Sequence, residues 1–442
     1  MHLLNSNKHI LIYTHKITPR VKYIFNLIFK DNLGLTFTIT NRIEEFKRYE
    51  GFKLSYTNQD IDSEFHIAAH SLLFESGIKE QTIQMQNHDN FFKYFFKTYH
   101  SSLPFDVFSA SFYLVSRYEE YLPFIPDNFN RFEAENSLAY QNDFLRIPIV
   151  NVWIREFELL LKKKFKNIEI THRSYSYIST IDIDNAYKYK QKGVMRTIGG
   201  YLKSIFTIDK QGFIDRTSVL LKKEKDPFDS YQYQLDMQKK YDLKVIYFYL
   251  LGDYGINDKN HPSNNTNFQK LIKHLSDYSL PGIHPSFGSN GNTNQVKIEM
   301  NRLAKITHRD IFDSRQHFSM LTFPDTYFAL LEVGITNDYS MGYGNYNGFR
   351  ASICTPFYWY DLDDEIETGL KIHSYAISET SLRYSDHANM ENVDLIAKKI
   401  IDEVKLYNGE LITIFHNDTM GTSQEWKGWS SLYEKIVKLS IS

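Results

Sequence analysis

The sequence predicts an α/β fold: a smaller α/β domain over residues 1–170, followed by a parallel sheet or (β/α) barrel over residues 171–442. Three observations lead there. Strongly apolar runs of strand length, Lys244–Leu251 and Glu410–His416, recur between segments whose apolar residues are spaced as in amphipathic helices. The order strand then helix persists from about residue 176 onward, with no internal repeat. Polar residues of catalytic or metal-binding type close several of these strands, where parallel α/β folds collect function.

The first domain opens with a strand over residues 9–14, a helix from Arg20 to Phe29 and the alternating strand Leu35–Thr40. Phe105, Phe108, Phe112, Val115 and Tyr118 fall at three- and four-residue steps and predict an amphipathic helix from Phe105 to Tyr121. Polar, asparagine-rich sequence follows over Asp127–Asn142. A helix over Val152–Lys164 then leads through a lysine-rich stretch to the boundary near residue 170. In the second domain a strand leads to Thr180-Ile181-Asp182-Ile183-Asp184. Helices are expected over Ser230–Tyr241, Asn267–Tyr278, Asn294–Thr307, Pro324–Glu332 and Met390–Tyr407, and a short strand over Gly282–His284.

Composition narrows the function. Hydrophobic residues make up 42% and aromatics 16% of the 442 residues, with 33 Phe and 32 Tyr, so the chain is globular and has a sizeable core. A net charge of -2 and a pI near 6.8 give no overall field for a nucleic-acid backbone or an anionic membrane surface. The single cysteine, Cys354, excludes an intrachain disulfide and any multi-cysteine metal site, so nitrogen and oxygen must hold any metal. Residues 1–9 lack an apolar stretch of signal-peptide length, and no window is long enough to cross a bilayer. The expected location is the cytoplasm.

Side chains at i and i+2 of a strand share a face, so Asp182 and Asp184 project together, with Ile181 and Ile183 on the other side. Two carboxylates that close repel unless a cation, an arginine or a shared proton lies between them; a solvated strand end is the bland alternative. His284, in Gly282-Ile283-His284-Pro285-Ser286, closes a second strand. Arg315 and His317 lie in Asp313-Ser314-Arg315-Gln316-His317-Phe318, and His416 closes the last strand. Each histidine taken alone is accounted for by a hydrogen bond to a backbone carbonyl. Together, a carboxylate and two imidazoles make a common ligand set for a catalytic divalent ion, leaving a carboxylate and a histidine as base and acid. His261, in a repeat of the His-Pro-Ser tripeptide, has no apolar strand leading into it and reads as loop.

These segments occur in the order seen in the polysaccharide deacetylases of carbohydrate esterase family 4, which residues 175–440 resemble. The resemblance implies a distorted (β/α) barrel of the deacetylase type and metal-dependent removal of an N-acetyl group from a carbohydrate. It implies Asp182 as catalytic base, Asp184 and His284 as metal ligands, and Arg315 as the residue that orients the base. Phe318 would supply an N–H to the oxyanion and His416 would be the general acid. The expected cofactor is a divalent ion, zinc first among candidates. Two departures stand out: Ile183 separates aspartates that are adjacent in the family, and Gly288 stands where a second metal histidine is expected, with His317 placed to replace it. The segment Asp338–Tyr343, followed by Gly348-Phe349-Arg350, looks like deacetylase-like proteins that carry an extra N-terminal region. Phe357-Tyr358-Trp359-Tyr360 is either a surface for stacking on a pyranose or a buried core strand. A metal-dependent amidase for a small non-sugar substrate, and a non-catalytic carbohydrate-binding relative without metal, are the competing readings.

Overall fold

The structure is a computed structural model that describes residues 7–59, 61, 63 and 65–442. Residues 1–6, which enter the expectation about a leader, lie outside the described residues. The chain forms two compact units. The first comprises residues 1–176, 348–374 and 402–410, and the second residues 177–347, 375–401 and 411–442.

The first unit is built on four parallel strands in the order Thr36–Thr40, His9–Thr14, Phe52–Thr57, His66–Ala68. Thr18 caps the following helix by accepting from the Val21 N–H, and Pro19 occupies the first turn, where its missing N–H costs nothing. The helix expected over residues 20–29 is α-helical only over Pro19–Phe25 and continues as a π-helix over Asn26–Asn32. Phe25, Phe29, Tyr56, Phe108 and Phe157 pack edge-on or tilted at ring distances of 4.8–5.7 Å, which explains part of the aromatic excess. Phe357, Trp359 and Tyr360 are buried in a strand of this same unit, paired antiparallel with Ile366–Ile372, so these three are core, while Tyr358 is exposed. Cys354 is buried and free.

The helix expected to run to Tyr121 stops at Val115. Arg117 adopts a left-handed backbone (φ 56°), and a short 3-10 turn follows over Tyr118–Tyr121. That break lets Arg117 reach Glu119 at 2.9 Å and Glu120 at 2.7 Å, while Arg350 holds Glu120 from a different segment, Nε to Oε1 at 2.9 Å. Burial alone would push the Glu120 carboxyl up, but the Arg350 and Arg117 guanidiniums outweigh it and hold it below the usual carboxylate range.

The second unit carries seven strands in the order Asn337–Asp338, Asp313–Ser314, Leu280–His284, Lys244–Leu250, Ser176–Ile183, Glu410–His416, Ile377–Ser378. Every pairing given for them is parallel. Helices Tyr231–Tyr241, Thr266–Ser276, Thr293–Thr307, Asp325–Glu332 and Val393–Leu406 alternate with the strands, within a few residues of their expected bounds. Ile178, Ile246, Phe248, Tyr339, Tyr375, Ile412 and Ile414 form one core cluster. Ile178, Thr180 and Asp182 share a face by the period of two, so this apolar cluster leads along the strands directly to the first aspartate. Among the described residues no helix is long and apolar enough to cross a membrane.

The Arg117–Glu120–Arg350 group yields a stability prediction. Glu120→Ala removes the buried carboxylate that Arg117 and Arg350 share, and should cost roughly 3–5 kcal/mol in urea unfolding. Because the folded carboxyl is held below its unfolded value, its contribution is complete above the ordinary glutamate pKa and fades as pH falls through the folded one. The variant should therefore lose part of the acid-side slope of stability; an unchanged unfolding midpoint and slope would remove this pair from the account.

Candidate metal centre and active site

Strand register brings the site together before any side chain is considered. Ile183 pairs with Tyr249, Tyr249 with Ile283, and Ile283 with Ser314, so the next residues, Asp184, His284 and Arg315, leave the sheet at one level. Gly282 sits one pleat below His284, where a Cβ would come within 2.4 Å of the Phe248 ring. The ring fills that space and supports the Arg315 guanidinium at 4.7 Å, with Tyr375 at 5.6 Å. Arg315 Nη1 donates to Asp182 Oδ1 at 3.0 Å and to Thr180 Oγ1 at 2.5 Å, and its Nε donates to the Tyr339 carbonyl at 3.1 Å. Asp182, buried, is thus fixed through one oxygen, while Oδ2 lies 3.9 Å from His284 Nε2.

Three imidazoles converge on Asp184. His284 Nε2 lies 3.2 Å from Oδ1; His317 Nε2 and His416 Nε2 lie 3.3 and 3.7 Å from Oδ2. The Nδ1 atom of each ring is engaged elsewhere. His284 Nδ1 is 2.5 Å from the Arg315 carbonyl, which only accepts, so Nδ1 carries a proton and Nε2 is the nitrogen turned to Asp184. His317 Nδ1 lies 2.9 Å from Asp258 Oδ1, and His416 Nδ1 lies 2.5 Å from Glu379 Oε1. Carboxylate or carbonyl partners on Nδ1 are the outer shell that orients metal-ligating histidines.

The donor set fits a cation. Asp184 Oδ1 is buried without a hydrogen-bond partner and faces His284 Nε2, so a cation between the two would satisfy both. The ligand atoms of Asp184, His284 and His317 all lie within 4.8 Å of one another. His284 Nε2 lies 3.2 Å from Oδ1 and His317 Nε2 3.3 Å from Oδ2, so each carboxylate oxygen faces an imidazole nitrogen. Electrostatics agree. Burial disfavours the Asp184 charge, yet His317, His284 and His416 overcome it and hold the carboxyl well below its usual range. Burial likewise opposes charge on His317, but Asp184 and Asp258 raise it to about 9; for His416 the Glu379 and Asp184 carboxylates outweigh burial and raise it well above the ordinary value.

Asp258 and Glu379 are the site residues that sequence reasoning missed. Asp258 accepts from the Phe287 and Gly288 N–H groups at 2.9 and 3.1 Å while holding His317, so it joins the turn after His284 to the next strand's histidine. At Gly288, a side chain would meet only ordinary contacts. Glu379 follows the two-residue strand Ile377–Ser378 and also accepts from the His416 backbone N–H at 3.0 Å. Asp258 sits in the polar run Asn257-Asp258-Lys259-Asn260 and Glu379 beside a strand too short to show a period, so neither carries a pattern. Phe318 has a left-handed backbone (φ 60°), and its ring packs on His317 at 4.5 Å. His261 is fully buried in irregular backbone and bonds the Lys190 carbonyl through Nε2 at 3.0 Å, with burial pushing its pKa down to about 4.

A family model described as a family of unknown function (DUF7033) matches residues 10–166, less than half of the chain. Comparison with curated protein sequences finds no match. Among solved structures, a protein assigned as a polysaccharide deacetylase from Mycobacterium smegmatis aligns at 8% identity over 61% of this chain and 85% of its own, with a TM-score of 0.38. The polysaccharide deacetylase Bc1974 from Bacillus cereus aligns at 15% identity over 60% and 86%, TM-score 0.27. BA3943 from Bacillus anthracis, a CE4 family pseudoenzyme, aligns at 9% identity over 60% and 61%, TM-score 0.28. None of these similarities is high enough to assign the chain to a family.

The outer-shell role of Asp258 is directly measurable. Asp258→Ala frees the His317 ring and the turn at Gly288, and should weaken divalent-ion binding by about 10–100-fold in isothermal titration, the usual loss when a histidine's outer partner is removed. Unchanged affinity would mean that His317 is not a ligand.

Proposed function

We propose that the chain is a metal-dependent hydrolase that removes an N-acetyl group from a carbohydrate, with Asp184, His284 and His317 as the ligands of a divalent ion, zinc first among candidates. One observation carries the reading: three imidazole Nε2 atoms meet one carboxylate at the ends of parallel strands, beside a second carboxylate that an arginine holds by a single oxygen. The order of the motifs along the sequence supports an N-acetyl sugar as substrate. The reading takes residues 1–170 as a separate N-terminal domain and the strands after it as a distorted barrel.

An acetamide is a poor electrophile with a poor leaving group, so hydrolysis needs an activated water, stabilisation of the oxyanion and a proton for the amine. A divalent ion bound here would polarise the acetyl carbonyl and acidify the attacking water. Asp182 takes the water proton on Oδ2, the oxygen that Arg315 leaves free. The Phe318 N–H donates to the developing oxyanion. His416, held at Nδ1 by Glu379, delivers a proton from Nε2 to the departing nitrogen. The turn that bears Phe318 is tied to the sheet through His317, whose N–H donates to the Pro285 carbonyl at 3.0 Å.

Acetate release from N-acetylhexosamine oligomers by the metal-loaded full chain tests the reading. Asp182→Asn keeps an acceptor for Arg315 but removes the base, and should lower kcat by about 10²–10⁴-fold with metal content unchanged. A variant as active as the parent would exclude Asp182 as base. A fully metallated parent that releases no acetate would point to another amide substrate or to a binding role.

A further inference from the structure

We propose that the helical hairpin between residues 193 and 220 docks the protein on the surface of an anionic lipid bilayer. Its two helices, Gly193–Phe206 and Lys210–Leu220, follow the strand that bears Asp184. A surface helix of a globular protein turns its apolar stripe to the core and its polar face to water; the first helix does the reverse. Its only buried residue is Ser204, while Val194, Met195, Ile198, Leu202, Ile205 and Phe206 are exposed, Met195 to 83% and Phe206 to 82%. The polar side is the one fastened to the rest of the unit. Arg196 donates from Nη1 to the Asn260 carbonyl and from Nη2 to the Lys259 carbonyl, each at 3.0 Å, and lies 4.2 Å over the Tyr254 ring.

The apolar surface continues around the turn. Ile208 is 79% exposed, and with Ile205, Phe213 and Ile214 it lines an open apolar cleft of about 350 Å³ at the tip of the hairpin. Contiguous exposed apolar surface on this scale marks an interaction site. Charge identifies the partner. Residues 188–225 hold ten Lys and Arg against three Asp and Glu, a local excess of seven positive charges in a chain whose net charge is -2. Lys203, Lys210, Lys222 and Lys223 are exposed and make no ion pair among the described residues. Large apolar side chains flanked by unpaired lysines are what an interfacial helix brings to an anionic headgroup layer. A second copy of the chain docked on the same face would set two such positive patches against each other. A nucleic-acid backbone would use the lysines but would leave Met195, Phe206 and Ile208 in water. The proposal stands independently of the reaction assigned to the site.

Flotation of the full chain with vesicles of phosphatidylcholine alone, and of an equimolar mixture with phosphatidylglycerol, tests it. The protein should float with the mixed vesicles and bind neutral ones at least about tenfold more weakly. Two triple variants at exposed positions, Met195→Ser/Phe206→Ser/Ile208→Ser and Lys203→Glu/Lys210→Glu/Lys222→Glu, should each lower partition to mixed vesicles about tenfold or more. If one fails to fold, the other decides. Absence of the parent chain from the mixed-vesicle fraction overturns the proposal. So does a dimer in solution that the serine variant dissociates, which would make this face an interface between copies.

Discussion

Asp184 is the point on which the strand ends of the second unit converge. Its two oxygens face the Nε2 atoms of three histidines that come from three different segments. Each ring is pinned at Nδ1 by an oxygen from a segment other than its own: the Arg315 carbonyl, Asp258 and Glu379. No ring can swing away without leaving a buried acceptor unpaired, so the convergence is enforced from behind. A carboxylate ringed by three imidazoles draws positive charge, from protons or from a cation, in among them, and one divalent ion would meet that requirement for Asp184, His284 and His317 together.

The same constraint explains features that otherwise look incidental. Gly282 lacks a side chain so that the Phe248 ring can lie where a Cβ would be, and that ring carries the guanidinium that fixes Asp182. Asp258 caps the turn at Phe287 and Gly288 and orients His317 with the same carboxylate. Gly288 is therefore tied, through Asp258, to the histidine that stands in the site. Asp182 lies within the strand Ser176–Ile183 and Asp184 just past its end, and the two carboxylates have two environments, one set by Arg315 and one by imidazoles.

Much of this was legible because it is periodic or sits at the end of a periodic element. The strands at residues 244–250 and 410–416, the helices between them and the polar residues that close the strands all follow from apolar spacing. What escaped lacks period. The helix end at Val115 goes with the Arg117–Glu120–Arg350 group, which joins residues more than two hundred positions apart, and the π-helical continuation at Asn26 has no signature in the apolar spacing. Asp258 and Glu379 act from a polar loop and a two-residue strand. Whole-chain net charge misled in another way: summing to -2, it conceals the basic hairpin over residues 188–225, because opposite charges elsewhere cancel it in the total but not in space.

The most direct test of the central claim is crystallographic: diffraction data from the full chain grown with zinc, collected on both sides of the zinc absorption edge. The account predicts one anomalous peak at about 2.0–2.2 Å from an Asp184 oxygen and from His284 and His317 Nε2. An anomalous map with no peak between those three side chains, or with the ion held elsewhere while they pair directly with one another, would contradict it.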